Sequence, residues 1–248
     1  MKRASLALIS LAVASSAIPG RAEAGNSREK EWRGYMESYA SCVVAHAHAR
    51  AREIVMNDPS DRDLQKKYSD IFIDKPVDAI YTCPLLNLRY QAEWLMNPDM
   101  LRFDLAQELV RSDLGQFETV SFATVPALTH RDVESKDALA ARLHLTAKKQ
   151  ADQLQLVYET AVGSVWLSHF GECVSRQDPM LVKSWLQSKS GSIEEKQAMQ
   201  NLGPAFAGCV PDGREIHFNR YDLRGAVAMS YYRLSMQAIN AHSAGATQ

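Results

Sequence analysis

Four cysteines, Cys42, Cys83, Cys173 and Cys209, constrain this chain more than any other feature, because the residues around the first recur around the third. Tyr35 and Tyr39 stand seven and three residues before Cys42, and Trp166 and Phe170 stand at the same distances before Cys173. Spacing of i, i+4, i+7 puts each trio on one face of a helix. The chain is therefore expected to contain two helices, each with an aromatic face that ends in a cysteine.

Further landmarks follow in the same order. A helix-start signal, Ser60-Asp-Arg-Asp63, lies 18 residues after Cys42, and a full capping box, Ser192-Ile-Glu-Glu195, lies 19 after Cys173. The partner cysteines come 41 and 36 residues after the first ones, and each is followed by a near-identical tetrapeptide, Arg102-Phe-Asp-Leu105 and Arg220-Tyr-Asp-Leu223. The offset between the two sets shrinks from 131 to 126 to 118, as loop deletions in a second copy would produce. Four cysteines allow three connectivities. A duplicated, self-contained unit selects Cys42 with Cys83 and Cys173 with Cys209, and crossed pairings would require the copies to have exchanged elements. Each such bridge closes a loop of about 40 residues, worth about 4 kcal/mol in the chain-entropy description.

Disulfides need an oxidising compartment, and the first 24 residues supply the route. Lys2 and Arg3 lead an apolar run from Ala4 to Ile18, Pro19-Gly20 breaks it, and Ala22-Glu-Ala24 forms a small-residue cleavage pattern. That is the layout of a signal peptide cut after Ala24. No later stretch is apolar for long enough to cross a bilayer, so the mature chain is expected to be soluble and periplasmic or secreted. Cleavage removes three basic residues (Lys2, Arg3, Arg21) and one acid (Glu23), which moves the formal net charge from −1 to −3. That near balance argues against nucleic acid as a partner, because phosphate binding needs a basic surface.

Periodicity is helical nearly throughout. Helices are expected at about 29–56, ended by Asn57-Asp58-Pro59, at 60–72, at 84–96, and from Asn97-Pro98 to about Asp113. Gln116–Leu128, rich in Thr, Val and Phe, reads as a short strand or an extended linker. Helix returns from Ser135 with a bend expected near Gly163, and Asp178-Pro179, Ser192 and Asn219 open three more. The expected fold is all-α: two related helical units, each stapled by one disulfide and packed as a single body. The divisions are a signal peptide (1–24), unit one (25–114), a linker (115–134) and unit two (135–248).

Signs of chemistry are sparse. His46 and His48, two apart on a helix, point about 200° away from each other and cannot chelate one ion together. Met96 and Met100 lack a third soft ligand and read as core fillers. Glu37-Ser38 is the dipeptide of lytic transglycosylases, but the Gly-Leu-Met-Gln run of that family is missing, and no second carboxylate can be paired with it. There is no G-x-S-x-G elbow, no P-loop and no G-x-G-x-x-G. Asp222, three residues past Asn219, and Asp104 are read as carboxylates serving helix N-termini. Arg102 and Arg220 remain as candidate ligand-binding residues that could meet an anion in a groove between the units.

An exported start, paired cysteines and helices opening on R-[FY]-D-L make the chain resemble uncharacterised secreted, disulfide-paired helical proteins of alphaproteobacterial type. The resemblance covers most of the mature chain and implies no activity. Two functions stay open: a non-catalytic periplasmic protein that binds a partner protein, the cell wall or a small molecule, and an envelope hydrolase whose site carries no familiar motif. No catalytic residue, metal or cofactor is predicted.

Overall fold

A computed structural model describes residues 19–58, 67–68, 83, 98–117, 121–144, 150–211 and 219–245. All regular structure among them is helical, as the periodicity predicts: α1 (Pro19–Asn57), α2 (Pro98–Leu114), α3 (Lys136–Arg142), α4 (Ala151–Gln177), α5 (Pro179–Gln187), α6 (Ile193–Asn201), α7 (Gly203–Cys209) and α8 (Arg220–Gly245). The helices expected at 60–72 and 84–96, and the apolar run of the leader up to Ile18, lie outside the described residues. Among the described helices none is long and apolar enough to cross a membrane.

The boundaries follow local chemistry. α1 consists of two helical segments that meet at Ala47 (φ −136°, ψ 39°). It stops where Asp58 turns left-handed (φ 42°), a conformation Asp tolerates better than most residues. Asp178 caps α5 by accepting from the Leu181 N–H at 2.9 Å, with Pro179 in the first turn. Ser192 caps α6 through the Glu195 N–H at 3.1 Å, and Asn219 caps α8 through the Asp222 N–H at 2.9 Å.

Three sequence expectations are corrected. No bend interrupts α4 at Gly163; the break lies earlier, between α3 and α4, where Leu143 caps α3 and His144 takes φ 55°. Of the two readings of the segment, the strand is not found in residues 121–135, and the irregular chain there is packed down on the helices. Phe122, Val125 and Leu128 are buried, and Arg176 of α4 donates to the Phe122, Val125 and Pro126 carbonyls at 2.7–2.9 Å. α7, starting around Gly203-Pro204, was not anticipated as a separate helix.

Packing runs α1 on α2, α2 on α8 and α8 on α4, so α2 and α8 form the middle of the molecule. That position buries them on nearly all sides, including the polar side chains discussed below. The α2–α8 contact is closed by Gly225: a Cβ there would lie 2.3 Å from Phe103 Cβ and Cγ. Gly171 does the same between α4 and α8, where a Cβ would lie 2.5 Å from the Ala226 carbonyl oxygen. Disulfides join Cys42 to Cys83 and Cys173 to Cys209, with Cα separations of 5.4 and 5.8 Å, the pairing that the repeat selects. Tyr39 and Phe170, the equivalent aromatics of the two trios, are both buried.

Candidate functional site

The two tetrapeptides meet across the α2–α8 contact. The Tyr221 hydroxyl donates to Asp104, and it lies 3.4 Å from the Met100 carbonyl. Asp104 is thus not a helix N-terminal carboxylate, since α2 begins at Pro98 and position 104 falls past its first turn. Burial pushes the Asp104 carboxyl up to about 8 against the Tyr221 hydrogen bond. Asp222 does sit in the first turn of α8, where Asn219 Nδ2 donates to its Oδ2 at 2.6 Å.

Arg102 is a correction. It is completely buried, donates to Asp99 Oδ1 at 2.6 Å and lies 3.9 Å from Asp58, so its charge is spent inside the protein. Arg220 is partly exposed, 3.6 Å from Glu195. Each arginine is held by a carboxylate that it shares, Asp99 with Arg131 and Glu195 with Arg224, so the two do not converge on one anion.

Around Arg102 lies a buried network that sequence reasoning missed. Asp58 approaches Arg131 at 3.1 Å, Arg233 at 3.8 Å and Arg102 at 3.9 Å. Asp99 accepts from Arg131 at 2.6 Å as well as from Arg102. Burial opposes its charge, but the cations of Arg131 and Arg102 outweigh that and hold its carboxyl below the usual range. Arg233 donates to the Thr129 carbonyl at 2.6 Å, which brings the network to His130.

His130 bridges two residues one turn apart on α4: Nδ1 is 2.5 Å from Ser168 Oγ and Nε2 is 2.6 Å from Glu172 Oε2. The other Glu172 oxygen accepts from the Leu128 N–H at 3.0 Å and from Arg176 at 2.7 and 2.8 Å. Burial would raise the Glu172 pKa, but these donors bring it below its ordinary value. Burial pushes the His130 imidazole down, beyond what the Glu172 contact restores. A second knot joins α6 to α8. Arg224, buried, donates to Glu195 at 2.6 Å and to the Leu186 and Ser188 carbonyls at 3.0 and 2.7 Å, while Glu195 also accepts from the Gly191 N–H at 2.7 Å. The capping-box glutamate is therefore a core ion-pair partner as well.

Beside the first network a cavity of about 270 Å³ opens between α2, α4 and α8. Phe103, Gly163 and Leu167 give it apolar walls, Thr160 and Ser164 bring hydroxyls, and Asp99, Glu159 and Asp222 bring carboxylates. Asp99 is already neutralised by two arginines. At Asp222 burial and the nearby Asp99 charge raise the pKa, against the Asn219 hydrogen bond and the Arg33 cation.

The other sequence candidates settle into ordinary roles. His46 is exposed, and His48 bonds Asp113 at 2.8 Å. Met100 packs against the core, and Met96 lies outside the described residues. Ser38 donates to the Gly34 carbonyl at 2.7 Å, and Glu37 lies 3.9 Å from Arg111. Among the described residues no group of three or more His, Cys, Asp or Glu could hold a metal ion. No family pattern, curated protein or solved structure matches the chain.

Proposed function

We propose that this is an exported binding protein whose ligand is a small organic cation seated in the cavity between α2, α4 and α8. One observation carries the reading: Asp222 and Glu159 line the same cavity as Phe103, so two carboxylates share a space with an aromatic side chain. An ammonium group is attracted to both. The volume lies just under the 300–1,000 Å³ usual for sites of drug-sized ligands, which suits a ligand of small-metabolite size.

Calorimetric titration with tetramethylammonium, butylamine and butanesulfonate tests the reading. The two cations are expected to bind and the sulfonate not to. Asp222→Asn is expected to weaken cation binding roughly tenfold or more, about 1.4 kcal/mol, and Glu159→Gln less, because Glu159 is exposed. Affinity should rise with pH, since a proton on Asp222 competes with the cation. Equal binding of the sulfonate overturns the reading.

Export is proposed with it: cleavage after Ala24, then residence in the periplasm or beyond. Its support is the leader pattern together with two disulfides, which persist in oxidising compartments. A mature N-terminus at Gly25 checks it. We also propose that the two cysteine-stapled units arose by duplication, supported by the repeated order of landmarks and the matching burial of Tyr39 and Phe170. A second reading, an envelope hydrolase, is favoured by Ser168, His130 and Glu172 standing in series.

A further inference from the structure

Ser168 and Glu172 lie one turn apart on the same face of α4, and His130, from the segment held down by Arg176, lies across both. Both ring nitrogens are engaged, which fixes the order of the protons. Glu172 is ionised, because Leu128 N–H and Arg176 donate to its other oxygen, so Nε2 carries the imidazole proton. Nδ1 then presents its lone pair to the Ser168 hydroxyl at 2.5 Å. A neutral imidazole accepting from a hydroxyl, oriented from behind by a fixed carboxylate, is the arrangement that makes a serine nucleophilic. The ring is turned end for end relative to serine proteases, which leaves that proton logic intact.

From this geometry we propose that Ser168 is a nucleophile activated by His130 and that it reacts with activated carboxylic esters. Ser168 Oγ bonds to the acyl carbon while its proton passes to His130 Nδ1. The ester C–O bond breaks, and the departing alkoxide takes that proton. Water then adds to the acyl carbon, gives a proton to Nδ1, and Ser168 leaves with it, releasing the acid. Glu172 is a positioning residue: it holds the tautomer and balances the imidazolium formed at each step. His169, exposed, packs against His130 with 3.9 Å between ring centroids and the rings tilted by 41°. Ser168 is partly exposed, and Ser164 and Leu167 of the cavity wall lie one turn and one residue before it on α4.

The proposal goes beyond the cation-binding reading and does not depend on it, since binding and acylation are read separately. The full-length, oxidised protein is treated with a fluorophosphonate probe and the modified peptide located by mass spectrometry. One adduct on Ser168 is expected, absent in Ser168→Ala and formed at least 100-fold more slowly in His130→Gln, the usual scale for losing a general base. Ser168→Ala should melt like the parent protein, so loss of labelling there reads chemistry and not folding. Slow release of p-nitrophenol from p-nitrophenyl acetate, lost in the same two variants, is expected alongside. A folded parent protein that takes no probe on Ser168, or takes it no faster than exposed Ser184 of α5, overturns the proposal.

Discussion

Asp104 and Asp222 occupy the same place in two nearly identical tetrapeptides, and the fold gives them opposite surroundings. Asp222 keeps the first-turn position read from sequence and lines a cavity. Asp104, further into its helix, is sealed in with the Tyr221 hydroxyl as its partner. A local pattern could not tell them apart, because what separates them is the partner helix, more than a hundred residues away in the chain. The consequence is a definite pH dependence. The Asp104 carboxyl has a folded-state pKa near 8 and an unfolded one in the ordinary range near 4. A raised folded pKa means stability that is complete below the unfolded value and is lost as pH rises through the folded one. The slope in that window is at most about 1.4 kcal/mol per pH unit. Asp104→Asn should lack that slope. Urea unfolding at pH 5, 7 and 9 should show the variant gaining on the parent protein at each step, and parallel pH profiles would sink the assignment.

At the level of elements, the legible features were those set by neighbours in sequence. The stop at Asn57-Asp58, the Asp178, Ser192 and Asn219 caps and the helices that carry Cys42 and Cys173 were all readable, because capping and 3.6-residue periodicity are local. The 121–135 segment was not. Its Val and Phe residues suggested extension, yet Phe122, Val125 and Leu128 are buried under the fan of hydrogen bonds from Arg176, a residue about fifty positions onward. The polar network was hidden for the same reason. Asp58 looked only like a helix stop, and nothing near Glu172 in sequence points to its partners at Leu128 and His130. Glycines test the packing of elements directly. Gly225→Ala should force α2 and α8 apart and cost roughly 1–3 kcal/mol, the scale of overpacking. Gly34→Ala, with nothing within 4 Å of the new methyl, should stabilise by about 0.5–1 kcal/mol, because alanine gives up less backbone freedom in a helix. Equal effects in thermal or urea melts would show that the α2–α8 contact is looser than described.

The whole molecule turns on α8, which faces two ways. Toward α2 it presents Tyr221, Gly225 and Tyr232, whose partners are Asp104, Phe103 and Asp113. Toward α4 and the segment before it, it presents Ala226, Ser230 and Arg233, whose partners are Gly171, Ser168 and Thr129. The repeat places a boundary between residues 114 and 135 and α8 in the second unit alone. If that boundary marked independent domains, fragment 135–248 would fold by itself. Packing argues otherwise: without α2, the α8 stripe of Tyr221, Gly225 and Tyr232 would face water, and Arg233 would lose the Asp58 and Thr129 oxygens of the first part of the chain. Exposing that apolar face costs several kcal/mol, a large share of the 5–15 kcal/mol that holds an ordinary protein folded. Fragment 135–248, oxidised so that Cys173 and Cys209 are joined, is therefore expected to be helical by circular dichroism but to melt without a cooperative transition. Refolding it with fragment 25–134 should restore a sharp melt near that of the intact chain, with a one-to-one complex in sedimentation. A sharp melt of fragment 135–248 alone, unchanged by the partner fragment, would mean that α8 needs only α4, and that the α2–α8 contact joins two finished domains and does not build one core.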